Sequence, residues 1–285
     1  MTDANSAQRQ HWNEQVGSVW VAYQERLDRQ IGPHGERALA LLAARPGERV
    51  LDLGCGCGDS SLTLARSVAP GGKVLGLDLS EPMLARARER AAAAGLANLE
   101  LRAADVQSAA LPPGSFDAAF SRFGVMFFSD PVTAFRNVLG ALRPGGRLAF
   151  VCWRPVAEND WVKVPMAAAA PHLSLPPPAA PDTPGPFSFG DAERVRQILA
   201  AAGFGAIRIE PATLPMAPGG GGLDEAADTF LEVGPVAGAL REMKADAGLR
   251  ERVRLAVRAS FEPHLRGGRV ELGSAIWLVQ AQRAL

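Results

Sequence analysis

The chain has no surplus of either charge. Thirty Lys and Arg offset thirty Asp and Glu among its 285 residues. No long-range field therefore favours DNA, RNA or an anionic membrane, and neither nucleic acid nor membrane is an expected partner. No apolar run is long enough to span a bilayer. The opening ten residues also lack the apolar core of a signal peptide. Cysteine is scarce: Cys55, Cys57 and Cys152 make no disulfide framework. With only four scattered histidines beside them they make no ligand set of metal spacing, so no metal is expected. These absences leave a soluble cytoplasmic protein as the default. Nearly half of the residues are apolar, enough for one large α/β domain with an elaboration or for two small domains.

The most informative stretch that is present runs Arg49-Val-Leu-Asp-Leu-Gly-Cys-Gly-Cys-Gly-Asp59. Val50–Leu53 is an unbroken apolar run, as in a strand covered on both faces. Glycines at 54, 56 and 58 permit a tight turn and keep side chains away from a ligand lying on the backbone. A helix beginning at Asp59 or Ser60 would aim its free N–H groups over that turn. The dinucleotide pattern G-x-G-x-x-G fails, because its third glycine would fall at Asp59. Carboxylates on both sides of the loop repel a pyrophosphate but suit a ligand carrying an ammonium and a sulfonium. Cys55 and Cys57 read as small residues in a crowded turn.

Three further strands follow at βαβ spacing, which predicts an α/β fold with a parallel sheet. Lys73–Leu79 passes through Asp78, and Ser80-Glu-Pro-Met opens a helix with Ser80 as its N-cap. Leu99–Val106 carries Asp105 near its tip, and Phe116–Ser121 leads into Arg122–Phe128. Asp130-Pro131 caps a helix, and Arg143-Pro-Gly-Gly146 turns into a strand over Arg147–Trp153. With its glycine loop and the acids Asp52, Asp78 and Asp105, the segment 45–153 resembles the class I S-adenosylmethionine (SAM) dependent methyltransferases. The run Ser121–Phe128 is similar to their small-molecule branch, near the ubiquinone and menaquinone methyltransferases.

That resemblance implies a Rossmann-like sheet of seven strands, mostly parallel, whose last strand is antiparallel. It implies SAM as cofactor and S-adenosyl-L-homocysteine as product. Asp78 would accept from the ribose hydroxyls, Asp105 from the adenine amine, and the Val106 N–H would serve a ring nitrogen. Met83 would lie on the adenine face. Asp52, Gly54, Cys55, Gly56 and Gly58 would form the loop under the ligand, with Leu79, Ala104, Ser121 and Arg122 beside it.

Outside that segment, residues 8–28 place Trp12, Trp20 and Tyr23 on one face of an amphipathic helix, either surface packing or a flap over the cofactor. Gly32-Pro33 is expected to break it, before a second helix at about 34–44. Residues 1–44 thus read as cap helices and 45–153 as the cofactor-binding core. Residues 154–189 hold nine of the 22 prolines in 155–186 together with Trp161 and Phe187, which favours a packed lid over a linker. Residues 190–285 complete the sheet around a helical insertion at 223–265, in one overall domain.

The acceptor is sketched only by pocket candidates: Trp12, Trp20, Tyr23, Phe123, Met126, Phe127, Trp153 and Trp161. Their character suits a small flat or greasy molecule, methylated on oxygen or carbon. Ser121-Arg-Phe-Gly124 stands where amine-methylating DNA enzymes carry an Asn/Asp-Pro-Pro-aromatic tetrad, so amine targets lose support. A phenol or enol calls for a base. His11, His34, His172 and His264 are candidates, with His11 and His172 foremost, and Arg122 would bind an anionic acceptor. No base is assigned. A SAM-binding sensor or scaffold without transfer, and more distantly an NAD-dependent oxidoreductase, remain as alternatives. The acceptor's identity and the oligomeric state are not legible.

Overall fold

A computed structural model describes residues 5–173, 180 and 183–285. The expected Pro176–Pro178 part of the lid lies outside the described residues. Three helices lead in: α1 (Ser6–Gln10), α2 (Gly17–Ala22) and α3 (Gln24–Leu42), with a π-helical turn at His11–Gln15 after the first. The sheet core then alternates β1 (Arg49–Leu53), α4 (Asp59–Ser67), β2 (Lys73–Asp78), α5 (Glu81–Ala93) and β3 (Leu99–Ala103). It continues through β4 (Phe116–Arg122), α6 (Pro131–Ala141) and β5 (Leu142–Trp153). After α7 (Asp160–Ala169) and α8 (Ala192–Ala202) comes β6 (Gly205–Met216). The insertion holds α9 (Leu223–Glu232), α10 (Pro235–Glu242) and α11 (Ala247–Ser260). A small hairpin, β7 (Leu265–Arg266) and β8 (Arg269–Val270), precedes β9 (Leu272–Gln282).

The seven strands lie in the order β3-β2-β1-β4-β5-β9-β6. β1 to β5 are parallel, and β9 runs antiparallel between β5 and β6. Strand order reverses between β1 and β4, which opens a crevice at their carboxyl ends. The glycine loop after β1 and the Arg122–Gly124 turn after β4 both face that crevice. Helix starts follow their caps: Ser80 Oγ accepts from the Met83 N–H, and Asp130 Oδ1 accepts from the Thr133 N–H at 3.0 Å. The main core covers both faces of the sheet. A second apolar cluster, centred on Phe230, Leu240, Val257 and Phe261, ties α9–α11 to α7.

Several sequence expectations shift. The predicted break at Gly32-Pro33 is absent, because α3 runs through Pro33 without interruption. The Pro33 ring is exposed, so its missing N–H falls on the outer face while Leu27, Ile31, His34, Ala38 and Leu42 bury the inner one. The predicted single helix at 8–28 is instead divided by the π turn and at Tyr23. β3 stops at Ala103, which leaves Asp105 in a turn whose carbonyl accepts from the Ser108 and Ala109 N–H groups.

Candidate functional site

The glycine loop is shaped by β2. The N–H groups of Gly54 and Cys55 both donate to the Leu77 carbonyl, at 2.8 and 3.0 Å. Gly56 N–H donates to Asp78 Oδ2 at 2.7 Å, and Ser80 N–H to Asp78 Oδ1 at 2.8 Å. Gly54 and Gly56 have φ of +67° and +55°. A Cβ on Gly54 would meet Gly124 Cα at 2.8 Å, and one on Gly56 would meet Met83 Cε at 2.9 Å. Only glycine keeps this backbone open and close to its neighbours. Each Asp78 oxygen accepts one backbone N–H and retains a lone pair for a hydroxyl. Burial pushes the Asp78 pKa up, against the pull of the Ser80 and Gly56 amides.

A cavity of about 470 Å³ opens above this loop. Its wall includes Gly54, Cys55, Gly56, Asp78, Leu79, Met83, Ala104, Asp105 and Val106. The same wall carries the apolar and aromatic side chains Trp12, Trp20, Phe123, Met126, Phe127, Trp153, Trp161 and Phe187. Phe123 stacks on Trp153 with ring centroids 4.1 Å apart, and Trp153 meets Trp161 at 4.9 Å. The N-terminal helices roof the first of these groups. Ser80 Oγ donates to the Trp12 carbonyl at 2.9 Å, and Asn13 Nδ2 to the Leu79 carbonyl at 2.9 Å. Asn5 Nδ2 donates to Asp105 Oδ2 at 2.9 Å.

Other expected residues stand off the wall. Asp52 is fully buried beneath the loop, where it accepts from Ser60 Oγ at 2.7 Å and Ser61 Oγ at 2.5 Å. It braces the start of α4 instead of facing a ligand. Burial pushes its pKa up to about 6, opposed by the two hydroxyls. Ser121 is likewise interior, donating to the Leu53 carbonyl at 2.7 Å and accepting from the Gly124 N–H at 3.2 Å. Gly58 caps α4 against Ala87. Tyr23 ends α2 with the Arg26 guanidinium 5.6 Å from its ring centroid, away from the cavity. His172 sits in a short 3-10 turn, also off the wall.

Arg122 reaches the cavity but is already engaged. Its Nη1 meets Asp59 Oδ2 at 2.8 Å and its Nη2 meets Asp28 Oδ1 at 3.0 Å. Arg90 closes a square, at 3.1 Å from Asp28 and 3.3 Å from Asp59. Through these pairs Arg122 clamps α3 to the glycine-loop helix, alongside the expected role of receiving an anionic acceptor. Among the candidate bases, His11 is on the wall, in edge contact with Trp12. His34 lies behind the wall, edge-on to Phe123 and Trp153. Ser274 Oγ donates to the Leu214 carbonyl at 2.8 Å, so it accepts from His34 Nε2–H at 2.7 Å. Burial pushes the His34 pKa down to about 4, with Arg122 adding to the effect. Burial pushes the Cys57 thiol up to about 12 and raises those of Cys55 and Cys152 as well, which disfavours the thiolate at all three.

Sequence reasoning missed Asn5, Gln30, Met216, Thr229, Phe230 and Arg241, all on the wall. Gln30 had a usable signal. It falls on the 27-31-34-38 face of α3, visible once the helix is drawn through Pro33. The α9 and α10 residues had none, since only long-range packing brings them here. Among the described residues no His/Cys/Asp/Glu group is placed to hold a metal, and no helix is long and apolar enough to cross a membrane.

Comparison with known proteins bears on the same region. Residues 50–146 match the methyltransferase domain family. Nocamycin O-methyltransferase of Saccharothrix syringae is 33% identical over 184 residues, 62% of this chain and 66% of that protein. Demethylmenaquinone methyltransferase of Thermus thermophilus is 40% identical over 119 residues, 42% of this chain and 53% of that protein. The matches thus span about half to two thirds of these curated relatives' lengths. Phosphoethanolamine N-methyltransferase 2 of Haemonchus contortus, solved with S-adenosyl-L-methionine, has a TM-score of 0.60 at 18% identity. That likeness covers 97% of this chain and 60% of the other, and it is a likeness of fold.

Proposed function

We propose that this chain, whose residues 50–146 match the methyltransferase domain family, is a SAM-dependent methyltransferase acting on oxygen or carbon of a small aromatic or apolar metabolite. One observation carries this: a single cavity has both the acid-tipped glycine loop and a set of aromatic side chains in its wall. The residues around the loop fit the cofactor. Gly54 and Gly56 leave a cradle that a Cβ would fill, and Asp78 has lone pairs to spare. Asp78 would hold the ribose, Asp105 and Val106 the adenine edge, and Met83 its face.

When bound, the cofactor supplies an activated methyl group on a sulfonium with a neutral leaving group. The chain's task is then alignment and exclusion of water. Trp12 and Asn13, bonded to the β2–α5 turn, cover the nucleoside end. Phe123, Trp153 and Trp161 hold an acceptor's flat face and keep the chamber dry. His11 is the wall residue able to relay a proton, although its edge contact with Trp12 places it toward the roof. The described stretches at 154–189 and the helices of 223–265 act as lid and cap. Three buried thiols outside any disulfide suit a reducing compartment, which supports a cytoplasmic location.

Calorimetric titration tests the reading. SAM binds saturably to the wild type, and Asp78→Ala weakens it by about tenfold or more, the cost of losing charge-assisted hydrogen bonds. Heat from NAD with none from SAM would transfer the chain to the oxidoreductases. SAM binding with no labelled methyl transferred to any compound of a cell extract would leave a sensor or scaffold.

A further inference from the structure

Among the polar side chains of the cavity wall are Gln24, Gln30, Thr229 and Arg241, the last donating through Nη1 to the Glu232 carbonyl at 3.1 Å. Gln24 donates to Asp28 Oδ2 at 2.5 Å and accepts from Arg86 Nε at 3.3 Å. Thr229 gives its hydroxyl proton to the Glu225 carbonyl at 2.8 Å. Gln30 differs. It is only 9% exposed and lies in the cavity wall. Its Nε2 donates to Met216 Sδ at 3.0 Å, a weak acceptor. Its Oε1 is buried with no hydrogen-bond partner among the described residues. Reversing the amide would set its oxygen against the Met216 sulfur, so the orientation is the favourable one. A buried carbonyl without a donor costs free energy. Gln30 lies in the cavity wall while its Oε1 is turned out of the open space, so a turn of the amide is what would offer this atom to a partner arriving from outside.

We propose that Gln30 selects the acceptor: its Oε1 receives a hydrogen bond from a hydroxyl borne on a flat aromatic body, packed among Phe123, Trp153 and Trp161. This deepens the methyl-transfer reading and rests on it. A neutral amide takes no proton, so Gln30 sets specificity and orientation and is not a catalytic residue. The recognised group is a protonated hydroxyl. An ether or an ionised phenolate in its place turns lone pairs toward the carbonyl and is rejected. The amide reaches its guest by a small rotation away from Met216, whose sulfur holds it weakly.

Two probes that differ in that one proton test the assignment: 2-naphthol and 2-methoxynaphthalene, measured by equilibrium dialysis against the chain saturated with S-adenosylhomocysteine. The wild type takes up 2-naphthol about tenfold more tightly. Gln30→Leu brings the ratio to about one by weakening the naphthol while leaving the ether unchanged or tighter. Gln30→Met, closer in shape, gives the same result if the leucine variant does not fold. A ratio unchanged in the folded variants, or a wild type that takes up neither naphthalene, overturns the proposal. Calorimetry with S-adenosylhomocysteine separates the two levels. If the wild type does not bind it, the methyl-transfer reading fails, and the naphthol ratio of the ligand-free chain still decides the role of Gln30.

Discussion

Asp52, next to last in β1, lies wholly inside the protein with Oδ1 unpartnered among the described residues, while Ser60 and Ser61 hold Oδ2. Its folded pKa, about 6, lies above its ordinary value of 3.8. Between those values the folded state binds the extra proton, so this group's contribution to stability falls as pH rises from 4 to 6. His34 acts in the opposite sense. Its pKa is lowered from 6.5 to about 4, the unfolded state binds the extra proton, and stability rises over much of the same range. The two trends mask each other in the wild type. The difference between wild type and Asp52→Asn isolates the carboxylate. Urea unfolding of both proteins is expected to show the wild type losing roughly 2–3 kcal/mol relative to the variant between pH 4 and pH 7. A constant difference would mean that Asp52 is not held in this environment. At this scale the sequence was legible where strand and turn chemistry are local. Asp78 reaches the cavity from the last position of β2, and Asp105 from the turn that follows β3. Asp52 has a similar signature near its strand's end, yet whether such a carboxylate faces the cavity or the underside depends on Ser60 and Ser61. That distinction is three-dimensional.

At the scale of elements, α3 is the piece most misread, and the one that most shapes the chamber. A Gly-Pro pair is a fair stop signal, but here the proline ring lies outward and the inner face packs against β4, β5 and β9. Tertiary packing overrode propensity. The helix is also pinned electrostatically, since Asp28 meets both Arg122 and Arg90. Arg122 is 12% exposed, and removing it would leave Asp28 and Asp59 short of a countercharge. Arg122→Gln is expected to cost about 2 kcal/mol in urea unfolding and to speed amide exchange in α2 and α3. Arg143→Gln breaks the Arg143–Asp117 pair, whose arginine is 52% exposed, and should cost under about 1 kcal/mol. Equal costs for the two variants would contradict the clamp.

The whole molecule combines a mostly parallel sheet that was readable with a chamber that was not. Segment 45–153 is built from short βαβ steps, each announced by its own caps, turns and apolar runs. Its parallel character follows from local rules, and β9 is the antiparallel last strand that the resemblance implied, lying between β5 and β6. The chamber is assembled from parts distant in sequence: Gln30 of α3, Met216 of β6, and Thr229 and Phe230 of α9 share one wall with Trp153. No local pattern announces such a meeting. The central claim is that one cavity clasps a nucleoside at the strand tips and presents its sulfur to the aromatic chamber. A crystal structure with S-adenosylhomocysteine tests this most directly. The ribose hydroxyls should lie on Asp78, the adenine edge beside Asp105, and the sulfur should face Phe123 and Trp153. Adenosine bound elsewhere, or a ligand whose sulfur turns away from that chamber, would contradict it.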